Sequence, residues 1–372
     1  MNQENAVLDR YTEGANQRQE SLCCPVDYQT ELLKILPQEI IEKDYGCGDP
    51  SRYVREGDVV LDLGSGSGKI CYMAAQLVGD KGKVIGVDMN NDMLALARKY
   101  QPEMTNKLGS DRVQFKKGKI QDLALDIDAM EQRLASNPIT DANALAAFDA
   151  WKHQQCTQEP LIADDSIDLV VSNCVLNLVN DVEKQQLVDE IFRVVKPGGR
   201  IAISDIVSDE SIPEHLKENK ELWSGCISGA FQELEMLKMF HDAGFIAVTY
   251  DKWSDTPWQI VEGIEFRSVT LTAIKREQTE CIDKGHAAIY RGPFSFAIDD
   301  EGYEFPRGQR MAICERTFNV LNNEPYKDSF ICIAPAIEQD AKEWCSPAGT
   351  LRPAKETKGS LHSVNTSSSA CC

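Results

Sequence analysis

One stretch of thirteen residues, VVLDLGSGSGKIC at positions 59–71, constrains the fold of this chain more than any other. It begins with an apolar, β-branched run and passes through three alternate glycines into a segment with helical apolar spacing. Glycines at such a turn let the backbone bend sharply and let a ligand approach the first amides of the helix. The stretch therefore predicts a strand, a ligand-binding turn and a helix.

The alternation of β-branched runs with helix-compatible spacing continues to about residue 275. Strand, helix and strand in succession connect by right-handed crossovers, which produce a parallel, doubly wound sheet. The predicted strands cover residues 58–63, 83–88, 113–118, 167–173 and 200–206. We therefore predict a Rossmann-like α/β domain over residues 51–275, interrupted by a polar helical insertion at residues 123–160.

Three segments flank this predicted domain. Residues 1–50 have amphipathic helical spacing, broken at Pro37, and are expected to form an N-terminal helical cap. Residues 276–345 contain short strand-like runs around a DDEG turn, which predicts a small β-rich domain. Residues 346–372 are rich in Ser, Thr, Lys and Pro, a composition typical of a disordered tail.

Charge and cysteine content narrow the function. The net charge of −20 speaks against nucleic acid as a partner, because phosphates are bound by basic patches. No apolar run of about 18 residues is present, so no membrane span is expected, and the first residues do not resemble a secretory leader. Thirteen cysteines without a closely spaced framework favour a cytoplasmic protein with thiols rather than structural disulfides.

The glycine turn departs from the dinucleotide-binding pattern. A G-x-G-x-x-G fingerprint that starts at Gly64 needs a third glycine at the position of Lys69. Here the second and third glycines are Gly66 and Gly68, and Asp62 stands two residues before the first. This variant suits S-adenosylmethionine (SAM), which has no pyrophosphate but carries a zwitterionic amino-acid end. Asp62 can face its ammonium group, and backbone N–H groups can face its carboxylate.

The ends of the next strands complete the predicted cofactor site. Asp88 closes the second strand, where it can accept hydrogen bonds from both ribose hydroxyls. Ile120 follows the third strand, at the expected position of the adenine, and Asn173 ends the fourth. Open α/β sheets bind ligands at these carboxyl ends. The alternative cofactor is a nicotinamide or flavin nucleotide.

Three cysteines stand in distinctive contexts outside the turn. Cys174 follows Asn173 directly, Cys47 lies in YGCG before the first strand, and Cys226 lies in WSGCIS beyond the fifth. Their spacing excludes a zinc ribbon, which uses paired C-x-x-C motifs. A single cysteine in such a place is more often a small buried apolar residue, but the three can still converge in space.

The motifs YGCG, LDLGSGSGK, GVDMN, SNCVLNLV and LWSGCISGA closely resemble those of arsenite methyltransferases, over roughly residues 19–275. The resemblance implies a class I SAM-methyltransferase fold and an enzyme that methylates arsenite and then methylarsenite in the detoxification of arsenic. It also implies that Tyr45 and Met89, within YGCG and GVDMN, belong to the SAM site.

The same resemblance assigns roles to the cysteines. It implies that Cys47, Cys174 and Cys226 bind As(III), and that a further cysteine near the N-terminus joins the redox cycle by pairing with Cys47. Cys23 and Cys24 are adjacent, so either can be that residue. A reducing thiol, glutathione or thioredoxin, is the implied cosubstrate.

The cysteines and histidines of the chain are consistent with a soft atom as the acceptor of the methyl group. As(III) is thiophilic, so three thiolates can hold it in a pyramidal cage that leaves its lone pair exposed. The lone pair can attack a sulfonium methyl without a general base, and none of the five histidines lies in a motif. Two other functions stay open: methylation of an organic thiol or other small molecule, and binding of a soft metal without catalysis.

Overall fold

The computed structural model describes residues 3–17, 26–277, 279–344, 347 and 349–358. The chain divides into two compact units, Met1–Arg276 and Glu277–Cys372. Across the described residues, every helix is too short or too polar to cross a bilayer.

The first unit is built on a nine-stranded sheet. Its strands are β1 (Val59–Leu63), β2 (Lys83–Asp88), β3 (Val113–Lys117), β4 (Ile167–Asn173), β5 (Val195–Ser208), β6 (Phe231–Gln232), β7 (Phe245–Trp253), β8 (Gln259–Val261) and β9 (Ile264–Lys275). The main order is β3-β2-β1-β4-β5-β9-β7, with β6 beside β5 and β8 beside β9. Strands β1 to β5 pair in parallel, while β9 runs antiparallel to both of its neighbours β5 and β7. This arrangement confirms the predicted doubly wound sheet.

Helices cover both faces of this sheet. They are α1 (Gln3–Asn16), α2 (Thr30–Leu33), α3 (Gln38–Glu42), α4 (Lys69–Leu77), α5 (Asn91–Lys99), α6 (Gln101–Leu108), α7 (Ile127–Ser136), α8 (Ala142–Gln158), α9 (Lys184–Val194), α10 (Glu214–Lys217), α11 (Lys220–Ser224) and α12 (Glu233–Asp242). The central strands are fully buried, with Leu61 and Val170 in one apolar cluster and Val60 and Leu169 in another. Each such side chain contributes roughly 1.5–3 kcal/mol by leaving water, so the sheet is a rigid support for the residues at its edge.

Most predicted elements are found within a residue or two of their expected bounds. The helical cap is broken before Pro37, which precedes α3, and α7 and α8 form the predicted insertion. β5 is longer than the predicted strand of residues 200–206, because it starts at Val195, runs through the Pro-Gly-Gly segment and ends at Ser208. The pairing of β4 with β5 shifts register between Ile167 and Leu169, which accommodates that segment in the strand.

The second unit contains short strands and two helices. They are β10 (Ile282–Asp283), β11 (Ala287–Tyr290), β12 (Phe296–Ile298), β13 (Glu304–Pro306), β14 (Arg310–Ala312), α13 (Glu315–Leu321), β15 (Phe330–Ile333), β16 (Lys342–Glu343) and α14 (Ala354–Lys358). The DDEG segment forms the predicted hairpin turn, where the Gly302 amide donates to the Asp299 carbonyl at 2.9 Å.

The second unit contains two helices beside its strands. Residues after Cys314 form α13, because the Cys314 sulfur accepts a hydrogen bond from the Thr317 amide and caps the helix. Part of the predicted disordered tail is ordered, since α14 lies within it and Thr357 is buried against Arg310. Residues 359–372 lie outside the described part of the chain.

Candidate active site

A cavity opens at the carboxyl ends of β1, β2, β3 and β4, where parallel α/β sheets bind ligands. Helix α1 forms the opposite wall with Leu8 and Tyr11. The residues predicted for the cofactor site that line the cavity are Tyr45, Asp62, Gly64, Gly66, Asp88, Met89, Ile120 and Asn173. Gly68 does not line it, because it lies at the start of α4, where a side chain would meet the Phe115 ring at 2.8 Å.

The glycine turn has the conformation that its sequence predicts. Gly64 has φ +68°, and a Cβ there would lie 2.4 Å from the Val175 side chain. Gly66 has φ +50°, and a Cβ there would meet nothing within 4 Å, so its backbone is open to the cavity. Left-handed backbone at both positions favours glycine over any other residue.

Asp88 binds the turn to the end of β2. Its carboxylate accepts hydrogen bonds from the Gly66 and Asn90 amides, each at 2.8 Å. Burial raises its pKa, and the backbone amides of Asn90, Gly66 and Met89 oppose that rise by stabilising the charged form. Asp88 therefore fixes the cavity wall itself, a role that the sequence did not reveal.

Two buried polar groups beside the turn are incompletely satisfied. Asp62 is 2% exposed, its carboxylate accepts a 3.2 Å hydrogen bond from the Cys71 thiol, and burial raises its pKa to about 8. The hydroxyl of Ser65 is buried without a hydrogen-bond partner among the described residues. Buried polar groups are normally paired, so both indicate a polar ligand with a cationic group near Asp62.

Asn173 holds the YGCG loop against the end of β4. Its side-chain oxygen accepts from the amides of Cys47 at 2.9 Å and Gly48 at 3.0 Å. Its amide nitrogen donates to the Gly48 carbonyl at 2.9 Å and to the Tyr28 hydroxyl at 3.2 Å. A Cβ on Gly46 would lie 2.2 Å from that nitrogen, so glycine before Cys47 is required for the close approach.

This loop brings Cys47 to Cys174. The two residues form a disulfide with a Cα–Cα distance of 5.8 Å across 127 residues of sequence. The expectation of thiols throughout the chain was therefore wrong at this pair, because Asn173 fixes the Cys47 backbone beside the strand end that carries Cys174. Cys174 lines the cavity.

Cys226 joins the same buried cluster. Cys47, Cys174 and Cys226 are 4%, 7% and 4% exposed and pack in one apolar cluster with Ile206 and Phe266. The Cys226 thiol donates to the Cys174 carbonyl at 3.2 Å. The structure thus brings together the three predicted cysteines, whereas Cys23 and Cys24 lie outside the described residues.

Two of these cysteines have unusual backbone conformations. Cys174 has φ +60° and Cys226 has φ +61°. Residues other than glycine rarely occupy this region, and when they do they cluster at active sites and ligand clamps. The strain at both positions therefore favours a functional role over simple burial.

Sequence patterns missed two further residues of the cluster. A carboxylate oxygen of Asp205 lies within 4.8 Å of the Cys47 and Cys174 sulfurs, and burial raises its pKa to about 7. The hydroxyl of Tyr11 lies 4.0 Å from the Cys226 sulfur. Asp205 is an acidic residue within the buried run of β5, which was a usable signal, but no local pattern in α1 distinguishes Tyr11.

Comparisons with known proteins decide between the possible families. A profile described as a methyltransferase domain matches residues 55–148 and 145–244, and a domain of unknown function, DUF8838, matches residues 277–362. The arsenite methyltransferase of Aquipseudomonas alcaligenes is 30% identical over 333 residues, which are 83% of this chain and 84% of that protein. The mouse arsenite methyltransferase is 31% identical over 317 residues, 82% of this chain and 74% of the relative. The chain belongs to the arsenite methyltransferase family.

A solved structure agrees with this membership. The arsenic(III) S-adenosylmethionine methyltransferase of Chlamydomonas reinhardtii has a TM-score of 0.57 and 27% identity, covering 86% of this chain and all of that one. The resemblance read from the motifs and the predicted SAM-methyltransferase fold are both confirmed. The cavity and the cysteine cluster therefore belong to a member of the arsenite methyltransferase family.

Proposed function

We propose that this protein transfers the methyl group of SAM to thiolate-bound trivalent arsenic, first to arsenite and then to methylarsenite. One observation carries the proposal: Cys174 lies in the wall of the cavity formed by the glycine turn, and it clusters with Cys47 and Cys226. A single site thus combines a cofactor-type turn with three sulfur ligands for a soft substrate.

The residues around the turn fit SAM, which when bound supplies an electrophilic sulfonium methyl. Asp62 would hold its ammonium group, because that carboxylate is buried in the cavity wall and, among the described residues, no positive group lowers its pKa. Ser65 and the open backbone at Gly66 would face its carboxylate. Asp88 would accept from the ribose hydroxyls with the lone pairs that the Gly66 and Asn90 amides leave unused. Tyr45, Met89 and Ile120 would line the rest of that site.

The cysteine cluster fits arsenic as a substrate. Arsenite and three thiols condense to a tris(thiolate) with the loss of three waters, so no base and no electrons are needed. The apolar side chains around the three sulfurs exclude water, which protects this product from hydrolysis. Arsenic held by the three sulfurs would present its lone pair to the methyl group that SAM supplies when bound, and the remaining contribution of the protein would be to position the two atoms.

A thiol reductant belongs to the proposal for two reasons. The Cys47–Cys174 disulfide must take up two electrons before both sulfurs can bind arsenic. Methylation also converts As(III) to As(V), and the return to As(III) takes another two electrons. Glutathione or thioredoxin can supply them by thiol–disulfide exchange. Pairing of Cys47 with Cys23 or Cys24 stays a prediction.

Affinity for SAM should depend on pH through Asp62. With its pKa raised to about 8, this carboxyl is mostly protonated at neutral pH, and a bound ammonium group favours its ionised form. Binding below pH 8 therefore releases a proton, so affinity should rise up to about tenfold per pH unit between about pH 6 and 8. Above about pH 8 the α-amino group of the cofactor loses its own proton and the affinity should fall.

Titration calorimetry across this range measures the effect. In Asp62→Asn the rise between about pH 6 and 8 should vanish, and affinity should be uniformly weaker. A wild-type affinity that is flat over this range would show that Asp62 does not meet the ammonium group.

The redox assignment of the N-terminal cysteines has its own test. Serine at both Cys23 and Cys24 should block methylation of arsenite, because Cys47, its third ligand, loses its redox partner. Methylarsenite should stay a substrate, because it has only two exchangeable positions, which Cys174 and Cys226 can fill. Each substrate is supplied separately with SAM and glutathione, and the products are speciated by chromatography and mass spectrometry. Wild-type rates on arsenite in the double variant would remove these residues from the cycle.

The proposed function is tested directly by incubating the protein with SAM, glutathione and arsenite and speciating the arsenic. Methylated arsenicals that form with matching S-adenosylhomocysteine support it. Arsenite binding without turnover would indicate a soft-metal-binding protein. Methylation of an organic thiol with indifference to arsenite would indicate a different acceptor.

A further inference from the structure

A second pair of cysteines lies in the unit of residues Glu277–Cys372. The Cys314 thiol donates to the Cys281 sulfur at 3.8 Å. Two thiolates on one tetrahedral ion with bonds of about 2.3 Å lie roughly 3.8 Å apart. The pair is therefore already at the spacing that one bridging soft atom requires.

The two sulfurs differ in access. Cys314 is 3% exposed, while Cys281 is partly exposed and immediately precedes β10. Burial and the neighbouring Cys314 raise the pKa of Cys281, so this residue is a neutral thiol at physiological pH. A small reagent can thus bind the accessible sulfur first and close onto the buried one.

The scaffold around the pair is fixed. The Cys314 sulfur accepts from the Thr317 amide at 3.5 Å and contacts the Thr317 hydroxyl at 3.3 Å. The His286 carbonyl accepts from the Ile313 amide, next to Cys314, and the His286 ring stacks on Phe318 at 4.1 Å. The His286 Nδ1 is buried and has no hydrogen-bond partner within the described part of the chain. The hydrogen bonds and the ring contact thus fix the segment that carries Cys314.

The number of ligands limits what can bind. Within the described residues, no third His, Cys, Asp or Glu places a ligand atom within 4.8 Å of both sulfurs. Structural zinc takes four protein ligands. A trivalent arsenical with one organic substituent has only two exchangeable positions, so a dithiol satisfies it completely.

We propose that Cys281 and Cys314 form a dithiol site for monosubstituted trivalent arsenicals. Methylarsenite, CH₃As(OH)₂, and two thiols give CH₃As(SR)₂ and two waters, so two As–O bonds are replaced by As–S bonds and no electrons move. The identity of the ligand rests on the proposed function, since methylarsenite is the product of its first cycle after reduction. The site holds this arsenical in a part of the chain that matches a domain of unknown function.

Phenylarsine oxide is the probe, because it condenses with two thiols and loses one water. The reduced full-length protein is treated with it, digested with pepsin at low pH, and the peptides are analysed by mass spectrometry. The expected product is a phenylarsenic bridge between the peptides that contain Cys281 and Cys314. Cys281→Ser and Cys314→Ser should each reduce this species at least tenfold relative to unmodified peptides.

Cys332→Ser is the matched control, because Cys332 is a partly buried cysteine of the same unit and should leave the bridge intact. Cys281→Ser guards against misfolding, since this residue is the more exposed of the pair. Three results would each overturn the proposal. The two peptides are recovered without a bridge, they are joined only by a disulfide, or the purified protein is found to hold zinc at this pair. Arsenite methylation by Cys281→Ser, measured in parallel at saturating substrate, should match the wild type. Absence of the bridge from the wild-type protein while arsenite is methylated therefore defeats the dithiol site, whereas absence of arsenite methylation by the wild type defeats the proposed function.

Discussion

Replacement of Cys174 by serine is expected to abolish methylation of both arsenite and methylarsenite. Cys174 is the candidate ligand that lines the cavity, and a hard serine oxygen is a poor ligand for a soft ion. A loss of at least about a thousandfold, or roughly 4 kcal/mol of transition-state stabilisation, should follow. Single-turnover rates on each substrate, with SAM and glutathione, measure it.

The strained backbone of Cys174 makes a second variant informative. Its φ of +60° suits glycine, so Cys174→Gly relieves the strain but also removes the sulfur. If the sulfur carries the function, both variants are inactive while SAM affinity stays within about threefold of the wild type. Cys156→Ser is the matched control, because Cys156 lies on α8 in the polar insertion. Activity of Cys174→Ser on either substrate would remove Cys174 from the arsenic site.

The parts of the site that sequence predicted are those set by local backbone chemistry. The glycine turn follows from its own residues, since only glycine tolerates φ +68° beside Val175. Strand β4 was predicted at its true bounds, because its apolar run is buried on both faces. Residues at the carboxyl ends of such strands share one edge of the sheet, and this rule placed Asp88, Asn173 and Cys174 around one cavity.

The parts that sequence could not predict depend on contacts between distant segments. The Cys47–Cys174 pairing spans 127 residues. The approach of Tyr11 to Cys226 spans 215. It depends on α1 docking against α11, where Arg10 donates to the Glu221 carbonyl at 2.9 Å. The Cys281–Cys314 contact likewise joins residues 33 positions apart, and Cys314 is placed by its position at the start of α13. In each case tertiary packing, and not the local sequence pattern, determines which residue the cysteine contacts.

Asn173 has a position that local sequence predicted and contacts that only tertiary packing determines. Its position at the end of β4 was predicted, and it does line the cavity. Its side chain, however, makes four hydrogen bonds to protein groups, three of them to the loop that carries Cys47. We therefore infer that its principal role is to position Cys47, and that contact with SAM is secondary.

Replacement of Asn173 by aspartate should consequently disable arsenite methylation more than cofactor binding. The new carboxylate oxygen would face the Gly48 carbonyl at the 2.9 Å distance now bridged by a donated hydrogen. A lost buried hydrogen bond and the repulsion between two acceptors cost roughly 2–4 kcal/mol. Arsenite methylation should therefore fall about thirtyfold to a thousandfold, because the Cys47 loop leaves its place beside Cys174.

Two measurements and a control variant separate this positioning role from a cofactor-binding role. The SAM affinity of Asn173→Asp, measured by calorimetry, should change by less than about threefold. At 1.4 kcal/mol for each factor of ten, this is a change of less than about 0.7 kcal/mol in binding free energy. The yield of the Cys47–Cys174 disulfide after mild oxidation, measured by peptide mass spectrometry, should drop sharply. Tyr28→Phe removes the 3.2 Å hydrogen bond from the Asn173 amide, together with the hydroxyl's contact with Lys69, and should leave both quantities near wild type. If Asn173→Asp instead lost SAM affinity and kept a full disulfide yield, Asn173 would be a cofactor ligand, and Cys47 would be held in place by Gly46, Gly48 and the Ser268 hydroxyl that donates to its carbonyl at 2.6 Å.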